Sequence, residues 1–365
     1  MASNKNQHFV PRCYLRPFTA DEHRKTINLF NIDRAKVILN APIKNQCSRD
    51  YFYGTDDRLE KAIQFVESSY ASVLPDLLSY GRPLTLSSKT IIRRFWFLQQ
   101  TRTEAASQRT VAMSEEADEL IEHPTESFKL GIKEAVQIAL QSYAENLDTL
   151  DDLKIALVYN RTDVPFITSD DPSVLTNRWL INNIATMGRG YGLHTAGVLC
   201  VLPLSPRVCC ICYDGHIYSI PNKNNWVDLR DQADVNAIND LQYLNCVANI
   251  YFSGQAASES VLELHSRNEG LKPPARHRIH YAIEAESSNG VTKFVVVDKK
   301  SAPEHSRALI HMESIRVEPR QWPSILHWRN NGFFYSNGTG LGHVRRADQG
   351  LSKGSSPLTK HGTGH

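Results

Sequence analysis

"TAGVLCVLPLSPRVCCICYDGHIYSI", Thr195 to Ile220, is the stretch that decides the fold class. Two apolar, β-branched runs are divided at Ser205-Pro206 and closed by Asp214-Gly215, a pattern of strands separated by turns. The most apolar part, Ala196 to Leu204, is interrupted by Pro203 and is far shorter than the roughly 20 residues a membrane helix needs. It predicts a buried strand, and no other run of the chain comes closer to a membrane span.

Working outward, "KIALVYN" (Lys154–Asn160) and "PFITSDDP" (Pro165–Pro172) share that texture and extend the sheet. The chain before them is mostly helical. In "RLEKAIQFVESSYASVLPDLLS", Leu59, Ile63, Val66, Tyr70, Val73 and Leu77 recur at helical spacing, with Pro75 expected to kink or end the helix. A second helix is expected to start after Ser87-Ser88 as N-caps and to run through Met113, and a third helical region covers about Ser114 to Leu150. Residues Thr26 to Tyr53 predict short strands: "TINLFNI", a turn at Asp33-Arg34, "KVIL" and "DYFY".

Downstream, "DVNAINDLQYLNCVANIYFS" returns to helix, and "LKPPAR" reads as a linker. "RIHYAIEAESSNGVTKFVVVD" then forms a hairpin turned on Ser288-Asn289-Gly290. The expected fold is α+β: helices packed on a mainly antiparallel sheet, with a small basic β-rich C-terminal appendage. The corresponding units are residues 1–270, 271–346 and a disordered, Gly/Ser/Lys-rich tail over 347–365.

Hydrophobic content of 41% and charged content of 22% fit a globular protein, and the seven Cys are odd in number and irregularly spaced. They form no secreted disulfide framework, so a reducing, cytoplasmic setting is expected. The net charge of +2 is unevenly spread: from Leu271 onward there are 14 Lys and Arg against 7 Asp and Glu. Such a basic segment is either a solvated surface or a handle for a nucleotide or nucleic acid.

Several polar residues stand where apolar ones belong. With Ile91 at zero and a step of about 100° per residue, Phe95 falls at about 40°, Leu98 at about 340°, Arg102 at about 20° and Arg109 at about 0°. Both arginines therefore share the core-facing stripe, which demands a carboxylate, carbonyls or a bound anion as partner. On the later helix, with Val235 at zero, the same step puts Asn239 at about 40°, Gln242 at about 340°, Cys246 at about 20° and Asn249 at about 320°. Buried amides need partners; they also read carbonyls, ring nitrogens and ribose hydroxyls. Asp170 and Asp171 close a strand before Pro172, where a carboxylate serves equally for acid–base work, metal ligation or a plain turn. Glu60 and Glu67 lie on one side of their helix, and with Asp170 they form the set that would take a divalent metal.

Two signals carry less. Cys209 and Cys212 form a CxxC, but on a strand residues three apart face opposite sides. "NGTGLGH", Asn337 to His343, lacks the following helix a phosphate loop needs and predicts a hairpin turn. The opening "NQHFVPRCYLRPF", Asn6 to Phe18, reads instead as a docked segment, because Phe9, Val10, Tyr14, Leu15 and Phe18 offer too much apolar surface to leave in water.

The opening motif, "DYFY" before a Glu-bearing helix, an aromatic helix ending in "TRT", "PFITSDDPS", "LPLSP" and the Asn/Gln helix together resemble the bacterial proteins grouped as domain of unknown function 4238. The resemblance covers about Asn6 to Ser253. It implies no reaction, but it implies a set of site residues: His8, Arg12, Arg102, Asp170, Asn239 and Gln242. Asp171 departs from the polar residue, such as Asn, expected after Asp170. The expectation is one cleft in which Arg12 and Arg102 bind phosphate, Asn239 and Gln242 bind a base, and His8 and Asp170 transfer protons. That set suits an intracellular hydrolase or transferase acting on nucleotides or nucleic acid, of toxin or defence type. A non-catalytic sensor of the same ligands and a structural interaction protein are the alternatives.

Overall fold

The computed structural model of the chain describes residues 5–121, 127–183, 190–254, 257–288, 291–338, 342–348 and 357–364. The opening segment supplies β1 (Asn6–His8) and a short helix α1 (Arg12–Leu15) that continues into a 3-10 turn, Arg16–Phe18. Next come β2 (Thr26–Asn31), β3 (Lys36–Pro42) and β4 (Ser48–Asp50). The helices are α2 (Asp57–Leu78), α3 (Leu86–Arg102), α4 (Glu104–Glu119) and α5 (Ile132–Glu145). The middle of the chain gives β5 (Lys154–Asn160), β6 (Thr168–Ser169), β7 (Val174–Thr176), α6 (Arg178–Asn182), β8 (Leu199–Ser205), β9 (Val208–Tyr213), β10 (Tyr218–Ser219) and β11 (Trp226–Leu229). It closes with α7 (Gln232–Asn245), β12 (Asn249–Phe252), α8 (Ala257–Asn268), β13 (His277–Ser288), β14 (Val291–Val296), β15 (Ala308–Ser314), β16 (His327–Trp328), β17 (Phe333–Ser336) and β18 (Thr359–Gly362).

The fold is α+β, and its centre is a five-stranded sheet in the order β11-β5-β9-β8-β7. Only the β11–β5 pair is parallel. Alternation along these strands separates two hydrophobic clusters, one on each face. Ile155, Leu157, Cys200, Leu202, Cys210 and Cys212 join the opening segment, α2, α3 and α5. Ala156, Val158, Leu199, Val201, Cys209 and Ile211 join α7 and α8. Both faces are covered, which is why β8 and β9 read as unbroken apolar runs rather than as alternating ones. Cys209 and Cys212 fall in opposite clusters, as strand geometry requires. A second sheet, β3-β2-β12-β6, and a three-stranded one, β14-β13-β15, complete the larger framework.

Local differences from the sequence reading have identifiable causes. The long helix expected through Met113 breaks at Thr103, whose φ of −68° and ψ of 155° end α3 and begin α4. The Thr103 hydroxyl accepts from Ala106 N–H at 3.1 Å and donates to Asp171 Oδ1 at 2.8 Å, so one side chain caps the helix and ties it to the strand end. The cap of α3 is Thr85, accepting from Ser88 N–H, rather than Ser87-Ser88. Pro75 sits inside α2 without ending it. In "DYFY" only Asp50 is in a strand, and "NIYF" leaves the α7 helix to become β12, pairing with both β2 and β6. The turn at Asn289-Gly290 and the centre of "NGTGLGH" lie outside the described residues, although β13 and β14 pair as a hairpin and Tyr335 bridges Val344.

The C-terminal segment packs against the elements before it. β13 and β15 lie against α4, and His277 Nε2 is 2.8 Å from Glu116. Beyond them the chain re-enters the main core: Val317 and Leu326 are buried in the cluster with α7 and α8. Arg345 is buried against Asp152 at 2.9 Å and the Thr149 carbonyl at 2.8 Å. Residues on both sides of 271 thus contribute to one hydrophobic cluster. Further along, β18 pairs with β17, His361 stacks on Phe334, and Lys360 Nζ lies 3.7 Å from the Phe333 ring centre.

Candidate functional site

The opening segment is fixed by its apolar side chains and by three polar ties. Phe9, Val10, Tyr14, Leu15 and Phe18 are all buried. The buried Tyr14 hydroxyl is 2.7 Å from Thr168 Oγ1 and donates to the Pro203 carbonyl at 2.7 Å, joining the first helix to two distant strands. The Gln7 carboxamide accepts from Tyr53 N–H at 2.7 Å and donates to the Gly54 carbonyl at 3.0 Å. Tyr53 in turn donates its hydroxyl to the His8 carbonyl at 3.0 Å. Cys47 and Tyr51, which bracket β4, both have a φ of 51°, a conformation that costs a non-glycine residue about 1–2 kcal/mol. Bonds from Phe9 N–H to the Cys47 carbonyl and from Tyr51 N–H to the Lys5 carbonyl hold them there.

This framework forms a polar cavity of about 300 Å³, whose walls include His8, Arg12, Arg16, Glu60 and Glu67. His8 is half-buried, and its Nε2 is buried with no hydrogen-bond partner. Burial, and then the charge of Arg12, push its pKa below the usual 6.5, so the ring is neutral at pH 7. A neutral imidazole with an uncommitted ring nitrogen can accept a proton. Arg12 and Arg16, four apart on consecutive turns, are both exposed at this cavity. Cys13 lines it too, but burial raises its pKa to about 11, so it stays a thiol and is a poor nucleophile.

Glu67 is set from behind. Arg102 has no exposed surface and donates from Nη1 to Glu67 Oε1 at 2.7 Å. With the Gln99 carboxamide turned oxygen-inward, Gln99 also accepts from Arg102 Nε at 2.6 Å and Nη2 at 2.8 Å. The carboxylate demanded by the core-facing Arg102 is thus Glu67, one residue in front of it in the cavity wall. Arg102 does not line the cavity.

The remaining expected residues are elsewhere. Asp170 is almost completely buried and accepts from the N–H groups of Val247, Ala248 and Asn249 at 3.0, 2.7 and 3.0 Å. Burial raises its pKa against the pull of those three bonds. Asn239 accepts from Ile167 N–H at 3.1 Å and donates to the Pro165 carbonyl at 3.0 Å. Gln242 accepts from Ser169 Oγ at 3.2 Å and donates to the Pro172 carbonyl at 2.8 Å. These three residues form the joint between α7 and the Pro165–Pro172 segment, and none lines the His8 cavity. The single cleft expected from the sequence is therefore divided. Asp171, the less favoured of the two aspartates, holds Arg109 Nη1 at 2.6 Å.

The proposed metal set is divided in the same way: Glu60 and Glu67 share the cavity, whereas Asp170 is committed to backbone N–H groups. Among the described residues no group of three or more His, Cys, Asp or Glu side chains is arranged to hold a metal ion. Among the described residues, no helix is long and apolar enough to cross a membrane. Arg16 was not singled out from the sequence; its signal is the four-residue spacing from Arg12 in "RCYLR".

Residues 6–256 match the family described as Protein of unknown function (DUF4238), and the chain belongs to that family. No curated protein and no solved structure matches it.

Proposed function

We propose that the His8 cavity is an acid–base site for phosphate esters, and that the protein is a hydrolase or transferase acting on a nucleotide or a nucleic-acid end. The observation that carries this reading is the buried, unpartnered Nε2 of a neutral His8 in a polar cavity shared with two exposed arginines. Arg12 and Arg16 would bind phosphate oxygens through charge-assisted hydrogen bonds. His8 would take the proton of an attacking water or hydroxyl, and Glu67, held by Arg102, would orient that nucleophile. A volume of about 300 Å³ is at the small end of ligand pockets and suits a phosphate with one attached sugar or base rather than a long strand.

The test is a mass-spectrometric screen of nucleotides and small RNAs incubated with the wild type and with His8→Ala. Turnover by the wild type that the variant loses supports the reading. Binding lost in the variant without any wild-type turnover would make the protein a sensor, and identical behaviour of both proteins overturns a role for this cavity.

A further inference from the structure

A second cavity, of about 370 Å³, opens where α3, α4 and α5 meet the end of β15. Its walls include Gln100, Arg109, Asn146, His194, Ser314 and Arg316, and among the described residues none that lines it is acidic. It shares no residue with the His8 cavity. The arginines around it are in excess of the carboxylates. Arg109 is paired with Asp171, whose other oxygen accepts from Thr103. Arg276, just behind, is held by Asn245 Oδ1 at 2.8 Å and by backbone carbonyls. Arg316 takes part in no ion pair among the described residues, and its Nε is buried without a partner. The Gln100 carboxamide oxygen is likewise buried and unpartnered.

Arg109, Arg276 and Arg316 are half-buried, and among the described residues one carboxylate, Asp171, cannot satisfy three guanidiniums. The strain is electrostatic: burial, then the charge of Arg109, lower both Arg276 and Arg316 to about 10. A bound dianion would supply the missing charge and acceptors. We propose that this cleft binds a small molecule bearing a phosphate group, held chiefly by Arg316 with Arg109. Ser314 and Arg316 lie beyond the family match at residues 6–256, so the site is completed by a part of the chain that the family does not cover.

Isothermal titration of the full chain with pyrophosphate and with AMP, at fixed ionic strength in chloride, tests this. Saturable binding of at least one probe is expected for the wild type and for His8→Ala, with affinity at least tenfold lower in Arg316→Gln. Arg316→Lys keeps the charge but not Nε and should bind with intermediate affinity; if Arg316→Gln does not fold, weaker binding by Arg316→Lys supports the site and unchanged binding overturns it. The proposal also fails if the wild type shows no saturable binding, or if Arg316→Gln binds as the wild type does. Binding lost in His8→Ala but kept in Arg316→Gln belongs to the other cavity and overturns this one. A 5′-phosphorylated oligonucleotide that binds when neither small probe does would overturn the small-molecule assignment.

Discussion

The wall of the His8 cavity and the joint between α7 and the Pro165–Pro172 segment use the same kinds of side chain for different ends. At the joint, Asp170, Asn239 and Gln242 are buried and their hydrogen-bonding atoms are matched to backbone groups or Ser169. At the cavity, His8 has a buried nitrogen without a partner, and Arg12 and Arg16 are exposed beside it. In sequence the two sets look alike, since each puts a polar residue among apolar ones. What separates them is whether the fold already satisfies the group: a satisfied group holds structure, and an unsatisfied one is available to a ligand.

The largest effect should come from the joint. Asp170→Ala leaves three backbone donors without their acceptor, and a loss of about 3 kcal/mol or more is expected in urea unfolding. A loss below about 1 kcal/mol would show that the joint is less committed than its geometry says. Arg102→Ala should follow at about 3 kcal/mol, because Glu67 and Gln99 lose a fully buried partner. It tests whether the cavity's rear wall belongs to the structural side of the contrast. Gln242→Leu is expected to cost about 1–3 kcal/mol, having two bonds to lose in place of three.

The cavity itself should behave in the opposite way. His8→Gln is expected to change stability by less than about 1 kcal/mol while abolishing turnover or ligand binding. A melt lowered as far as that of Asp170→Ala would erase the distinction. The pH dependence has a defined sign. The folded-state pKa of His8 lies below 6.5, so the unfolded chain binds more protons in the window beneath that value. The His8 contribution to stability is complete above about pH 6.5 and falls as the pH drops through that window, and His8→Gln should remove it from the pH–stability profile. The smallest effect is expected for deletion of residues 357–365. It removes only the exposed strand β18, so a change of about 1 kcal/mol or less in thermal unfolding is expected.

Much of the fold was legible because its signals are local. The alternating clusters on β5, β8 and β9, the docked opening segment and the turn after Ser205 follow from apolar pattern and punctuation alone. The break at Thr103 matches the family mark of an aromatic helix ending in "TRT", but apolar periodicity alone carries the helix on to Met113, because the interruption depends on an acceptor 68 residues away, Asp171. The helical pattern that extends over "NIYF" fails for a related reason: past Cys246 the N–H groups of Val247, Ala248 and Asn249 bond to Asp170 instead of continuing α7. At the site, a helical wheel placed Arg102, Asn239 and Gln242 correctly on buried faces. It could not say that Glu67 answers the first and backbone groups the others. Residues that share a property need not share a place.

The Tyr14 hydroxyl also fixes an order of events. Its partners lie 154 and 189 residues further along, so the first helix cannot complete its contacts until Pro203 has been made. At roughly 5–20 residues per second, that leaves the opening segment waiting about 10–40 s during synthesis. Closing such a long loop is entropically costly and slow, and the contacts that repay it arrive together. The last of the ties that hold the opening segment therefore forms only when the central sheet exists. A nascent or truncated chain ending before Pro203 carries every residue that lines the cavity but not the Pro203 carbonyl that holds Tyr14.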